Sequence, residues 1–179
     1  ALTTAQSAAL TSAQVSALGT AQIAALESAD LRALSTTGVQ AWTTTQITSL
    51  DTAQMAALTT AQVVALSATQ VSNMLTTQLV SLSATQIKAM ETRDIAVIDT
   101  VQITKLTTSQ IASMTTGQIK GMNTAQFANL STAQLASMTI AQVAAIELVD
   151  LQAITTVQLP KMTVAQIKAL SLDQVNALS

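Results

Sequence analysis

Apolar residues return at two fixed places in every eight along this chain, and polar or small residues fill the places between them. The first apolar place is held by Leu2, Leu10, Leu18, Leu26, Leu34, Trp42, Leu50 and Leu58, and it recurs without insertion or deletion as far as Leu170 and Leu178. Lettering the unit a to h from that residue gives 22 complete octads over residues 2–177, one uninterrupted array filling residues 1–179 with partial units at both ends. The second apolar place, f, is aliphatic, Met or Phe throughout, except at Ser7. Position b is Ser, Thr, Asp or Asn in 17 of the 22 units; position e is Gln in 18, the exceptions being Asp30, Gly38, Asp94 and Asp150.

Eight is the period of neither regular element. In one continuous helix an octad turns through roughly 800 degrees, so the a residues would drift about 80 degrees per unit and leave no constant stripe. A coiled coil fails for the same reason, because its seam needs a seven-residue or related repeat. In a strand, side chains alternate with period two, so a and f, five apart, would face opposite ways. A β-solenoid also needs corners, and four Gly and one Pro are too few to turn that many coils by the usual turn chemistry.

A third arrangement fits position by position. With b as the N-cap, b to e reads Thr-x-x-Gln, a capping box in which the hydroxyl takes the amide of e and the Gln reaches back to the amide of b. Thr59 with Gln62, Thr107 with Gln110 and Ser131 with Gln134 are examples. The flanking a and f residues form the hydrophobic staple that fixes the entry of the chain into the helix. Leu58 with Val63 and Leu106 with Ile111 are such pairs; Trp42 at a and Phe127 at f are read as core anchors of the same kind. A helix start every eight residues means that the previous helix must end. The pattern therefore predicts an all-α solenoid, or superhelix, of very short helices, one per octad. Helices of one to one-and-a-half turns do not stand alone, because nucleation is costly, and they persist only by stacking on neighbours.

Departures from the consensus bear on this reading. Glu at b coincides with Asp at e in three octads, Glu27 with Asp30, Glu91 with Asp94 and Glu147 with Asp150, as expected if b and e touch across one turn. Such carboxylate pairs are weak Ca²⁺ ligand sets, and capping variation is the simpler account. Pro160, at g, would remove a hydrogen bond from its helix and predicts a local kink. Position c, usually Thr, becomes Ile140, Leu148, Val164 and Leu172, with Val149 and Val157 at neighbouring d positions. If c faces outward these residues form an apolar association surface; the alternative is a thicker local core.

Composition narrows the chemistry. The chain has no Cys, His or Tyr, which removes thiol nucleophiles, His-based triads, disulfides and the usual zinc sets. Seven Lys and Arg against nine Asp and Glu leave a net charge of −2, without the basic stripe that nucleic acid would require. Polar residues, mostly Thr and Gln, interrupt every octad, so no apolar run is long enough to span a membrane. The expectation is a non-enzyme with no cofactor, metal or small-molecule substrate. Neither end departs from the repeat to give a polar cap, which predicts either a segment of a longer array or ends that stack on one another.

Units such as Leu58-Thr-Thr-Ala-Gln-Val, Leu106-Thr-Thr-Ser-Gln-Ile and Met162-Thr-Val-Ala-Gln-Ile resemble the Leu-Thr-x-x-Gln-Ile/Val octads found in tandem in large bacterial secreted and cell-surface, adhesin-like proteins. The resemblance implies an extracellular or cell-surface location and a non-catalytic structural role as spacer, scaffold or filament-forming segment, with homo-oligomerisation by end-to-end or lateral contact. The competing expectation is a ligand-binding module that presents a regular Thr/Ser surface or groove to polysaccharide, peptide or ice.

Overall fold

The computed structural model describes residues 2–178, which contain short helices and no strand. Twenty-one α-helices of four to six residues run from Thr4–Ala9 to Leu172–Ala177, with one 3-10 turn at Leu159–Lys161. Each α-helix begins at c, directly after the b residue that caps it. The helix of octad 8, for instance, is Thr60–Ala65, with Thr59 as N-cap and Leu66 as C-cap.

The break between helices needs no special residue. Leu66, at a, has φ −62 and ψ 140, and Thr59, at b, has φ −72 and ψ 157, so the turn is made by two extended residues in a region open to any L-amino acid. No described residue has positive φ. That is why the bends recur without a recurring Gly or Pro.

The chain divides into two compact units, residues 1–90 and 91–179. In each, a helix packs against the helix three octads later: Thr4–Ala9 against Ser28–Ala33 and Thr60–Ala65 against Ala84–Ala89 in the first, and Thr108–Ser113 against Thr132–Ser137 in the second. Each unit is thus a solenoid of stacked coils, with the inside of each coil lined by a and f. From Leu26 to Met162 every a residue is buried, as is every f residue from Ser7 to Leu151. Position g and most of c and d face solvent. Small residues at h allow the close approach: a Cβ on Gly121 would fall 2.0 Å from Thr92 Cγ2 on the preceding coil.

Octad 20 is the irregular one. Pro160 has no amide to offer Thr156, and the segment forms the 3-10 turn Leu159–Lys161 in place of an α-helix. Its capping bonds survive, with Thr155 N donating to Gln158 Oε1 at 2.7 Å and Gln158 N to Thr155 Oγ1 at 3.2 Å.

Candidate functional site

The recurring polar chemistry is concentrated at b and e. Thr59 N donates to Gln62 Oε1 at 2.9 Å, and Gln62 N donates to Thr59 Oγ1 at 3.2 Å. Thr107 with Gln110 makes the same pair at 2.8 and 3.1 Å, and Ser131 with Gln134 at 2.7 and 3.1 Å. Asp51, Asp99 and Asn123 close both halves with a side-chain oxygen in place of the hydroxyl, but where b has no side-chain acceptor the box keeps one half. Gly19 N and Leu75 N still donate to Gln22 and Gln78 Oε1 at 2.8 Å. Where e is Gly38, its amide still donates to Ser35 Oγ at 3.0 Å.

The other end of the glutamine has a role that capping does not suggest. Gln62 is buried, and its Nε2 donates to the carbonyls of Leu31 and Leu34 on the preceding coil, at 2.7 and 2.9 Å. Leu34 is an a residue, extended between two helices, so its carbonyl lies outside the helical ladder and needs a partner. In residues 1–90 the same reach of 28 residues, from e to an a carbonyl, is made by Gln46, Gln54, Gln70, Gln78 and Gln86 at 2.7–2.8 Å. In residues 91–179 it is made by Gln126, Gln134, Gln142, Gln158, Gln166 and Gln174 at 2.6–2.9 Å. Most of these amides also contact an f carbonyl 31 residues back, as Gln134 does with Ile103 at 2.8 Å. One side chain therefore closes its own helix start and ties two coils together. A signal for this was present in the sequence. Glu would complete a capping box as well as Gln, yet it stands at none of the 22 e positions while Gln holds 18, which points to the amide nitrogen as what Gln adds there.

Asp at e cannot make that tie, since a carboxylate only accepts. Asp94 Oδ2 takes the Glu91 amide at 3.1 Å, while its Oδ1 is buried without a hydrogen bond and lies 3.7 Å from Arg93 Nε. Burial raises the Asp94 pKa, against the opposing pull of the Glu91 amide and the Arg93 charge. Asp150 is buried too and is likewise raised by desolvation, with Thr124 Oγ1 donating to its Oδ1 at 2.9 Å from the coil before. The Glu27, Glu91 and Glu147 side chains make no cap hydrogen bond, so in these octads the b side of the box is open. Among the described residues, no group of three or more His, Cys, Asp or Glu is placed to hold a metal ion.

The apolar anchors all lie inside. Leu58, Val63, Leu106, Ile111 and Phe127 are buried, and so is Trp42, whose Nε1 has no hydrogen-bond partner. The apolar c residues lie outside: Ile140, Leu148, Val164 and Leu172 are 54%, 47%, 71% and 84% exposed, so they form no thicker core. The packing brings them together in pairs. Helix Ile140–Ala144 contacts Val164–Lys168, and Leu148–Leu151 contacts Leu172–Ala177, with Val149 and Val157 also exposed on this unit. No helix among the described residues is long and apolar enough to cross a membrane.

The ALTTAQ repeat family model matches residues 1–28, 23–60, 87–122, 113–145 and 143–179, together well over half of the chain. That repeat is typical of bacterial secreted and cell-surface, adhesin-like repeat proteins, which puts the chain outside the cell or on its surface. No curated protein matches the chain.

Proposed function

This chain belongs to the ALTTAQ repeat family, and we propose that it serves as a non-catalytic extracellular spacer or scaffold, a solenoid whose reach is set by its number of octads. The observation that carries this reading is the glutamine tie. Because Gln62 and its counterparts repeat the same bond from e to an a carbonyl of the coil before, units can be added or lost without redesign of the interface. Nearest-neighbour stacking of that kind gives stability that accumulates along the array. The chain's sparse charge and its lack of Cys suit a surface that binds little and tolerates an oxidising exterior. The alternative, a Thr/Ser surface for polysaccharide, peptide or ice, is weakened by the b hydroxyls, which are turned to their own helix amides, as Thr59 is.

The test is a length series. Chains carrying one, one-and-a-half and two copies of residues 2–177 should show a maximum dimension in small-angle X-ray scattering that grows in proportion to octad number. A dimension that stays constant as octads are added would sink the spacer reading. Retention on immobilised polysaccharide would favour the ligand-binding one.

A further inference from the structure

Octad 19 carries a carboxyl at e, the letter that elsewhere supplies a donor to the coil before. The ties on either side of it are intact: Gln142 donates to the Met114 carbonyl at 2.7 Å and Gln158 to the Leu130 carbonyl at 2.6 Å. The same 28-residue reach assigns Asp150 to the carbonyl of Met122, a buried a residue. No donor among the described residues reaches that carbonyl. Asp150 is 3% exposed and its side chain is turned toward the preceding coil, where Thr124 Oγ1 donates to Oδ1 at 2.9 Å. The bond that Asp94 makes to its own cap, from the Glu91 amide, has no counterpart at Asp150.

A carboxylate cannot serve a carbonyl, because both only accept, whereas a carboxylic acid can donate through its one O–H. The surroundings favour the acid form. Glu147, at the cap of the same helix, adds negative charge. Helix Thr124–Asn129, packed before it, carries no charged residue, and helix Leu172–Ala177, packed after it, carries Asp173. Lys120, on the preceding coil, is exposed to solvent. Burial pushes the Asp150 pKa up, the Thr124 hydrogen bond opposes the rise, and the Glu147 charge adds to it. Helix Leu148–Leu151 has four residues, fewer than any other α-helix among the described residues, so it leans on its coil contacts more than the rest do.

We propose that Asp150 is a proton-operated tie between coils: protonated on Oδ2 it donates to the Met122 carbonyl while Oδ1 keeps the Thr124 hydroxyl, and deprotonated it releases that carbonyl. A single proton from solvent is taken up at Oδ2 and returned to solvent, with no other covalent bond made or broken. The sign follows from linkage. The folded pKa lies above the ordinary value of 3.8, so the tie is fully present below pH 3.8 and is lost as pH rises through the folded pKa. The solenoid is thus firmer in acid than at neutral pH at one defined place, between helices Thr124–Asn129 and Leu148–Leu151. This goes beyond the spacer reading, which holds whether or not this coil titrates.

The test is a carboxyl carbon NMR titration of the chain labelled at aspartate, with the Asp150 signal identified by its loss in Asp150→Asn. Its midpoint is expected above 3.8, and higher still in Thr124→Val, which removes the hydroxyl that favours the charged form. Amide hydrogen exchange across residues 147–152 reads the tie itself. Asparagine keeps the shape of the side chain and donates at every pH. The Asp150→Asn segment is therefore expected to be about tenfold better protected than wild type at about pH 7, and within about twofold of it at about pH 3. A wild-type midpoint at or below 3.8 overturns the proposal. So does an asparagine variant no better protected than wild type at neutral pH, or one equally ahead in acid.

Discussion

Replacing Gln134 by Glu separates the two jobs of position e in a single atom. The glutamate retains an oxygen to accept the Ser131 amide, now 2.7 Å away, so the helix start is kept. The second oxygen, however, takes the place of Nε2, at 2.8 and 2.7 Å from the Ile103 and Leu106 carbonyls. Two hydrogen bonds are lost, at about 1 kcal/mol each. Two routes are then open to a side chain only 2% exposed. The carboxylate can stay charged against two carbonyl oxygens, or it can take up a proton and donate to one of them. The second route costs about 1.36 kcal/mol per pH unit above the unfolded glutamate pKa of about 4.3, or about 3.7 kcal/mol at pH 7. It recovers one of the two bonds, so the expected loss at neutral pH is about 3–5 kcal/mol. The pH dependence has a definite sign. The folded pKa of the introduced carboxyl lies above its unfolded value, so the folded variant binds the proton more tightly. The stability deficit is therefore smallest below about pH 4.3, at about 1 kcal/mol, and grows as pH rises toward the folded pKa. Urea titrations followed by circular dichroism, variant against wild type at pH 4 and pH 7, measure both quantities. A loss below about 0.5 kcal/mol at pH 7, with no difference between the two pH values, would show that the bonds between coils contribute nothing, and the reasoning would fail.

Three further outcomes follow from particular residues. Ser7 is a fully buried f residue whose hydroxyl has no partner, so Ser7→Val should stabilise the chain by about 1–2 kcal/mol, read as a raised thermal midpoint. Gly121→Ala should cost about 1–3 kcal/mol because the new Cβ would meet Thr92 Cγ2 at 2.0 Å, and Thr92→Ser, which deletes that methyl, should restore most of the loss in a double-mutant cycle. Asp94→Asn removes a carboxyl whose pKa is raised by burial, a group that favours folding when protonated and loses that contribution as pH rises through its folded pKa. The variant should therefore gain on wild type at neutral pH and lose that advantage below the ordinary aspartate value of 3.8, as melts across the two pH ranges would show.

Local chemistry made the unit legible from the sequence alone. A capping box and a staple act within a few residues, so Thr59, Gln62, Leu58 and Val63 announce one helix start wherever the rest of the chain lies, and repetition turns that start into an all-α solenoid. Burial at a and f follows from the same pattern, because no other apolar stripe is available. The second bond of the glutamine was not legible in the same way. Its acceptors lie 28 to 31 residues away, a separation set by how many octads close one coil, and that number depends on the bend at a and b and on the approach of small h residues to c. Only the folded coils decide which carbonyl meets which amide. The outward face of Ile140, Leu148, Val164 and Leu172 was decided in the same way, because a c residue has no local partner to declare its direction. Burial of the glutamine amide is likewise a tertiary property: Gln6 and Gln62 occupy the same letter in two different octads, yet Gln6 is exposed while Gln62 is buried and tied to the coil before it.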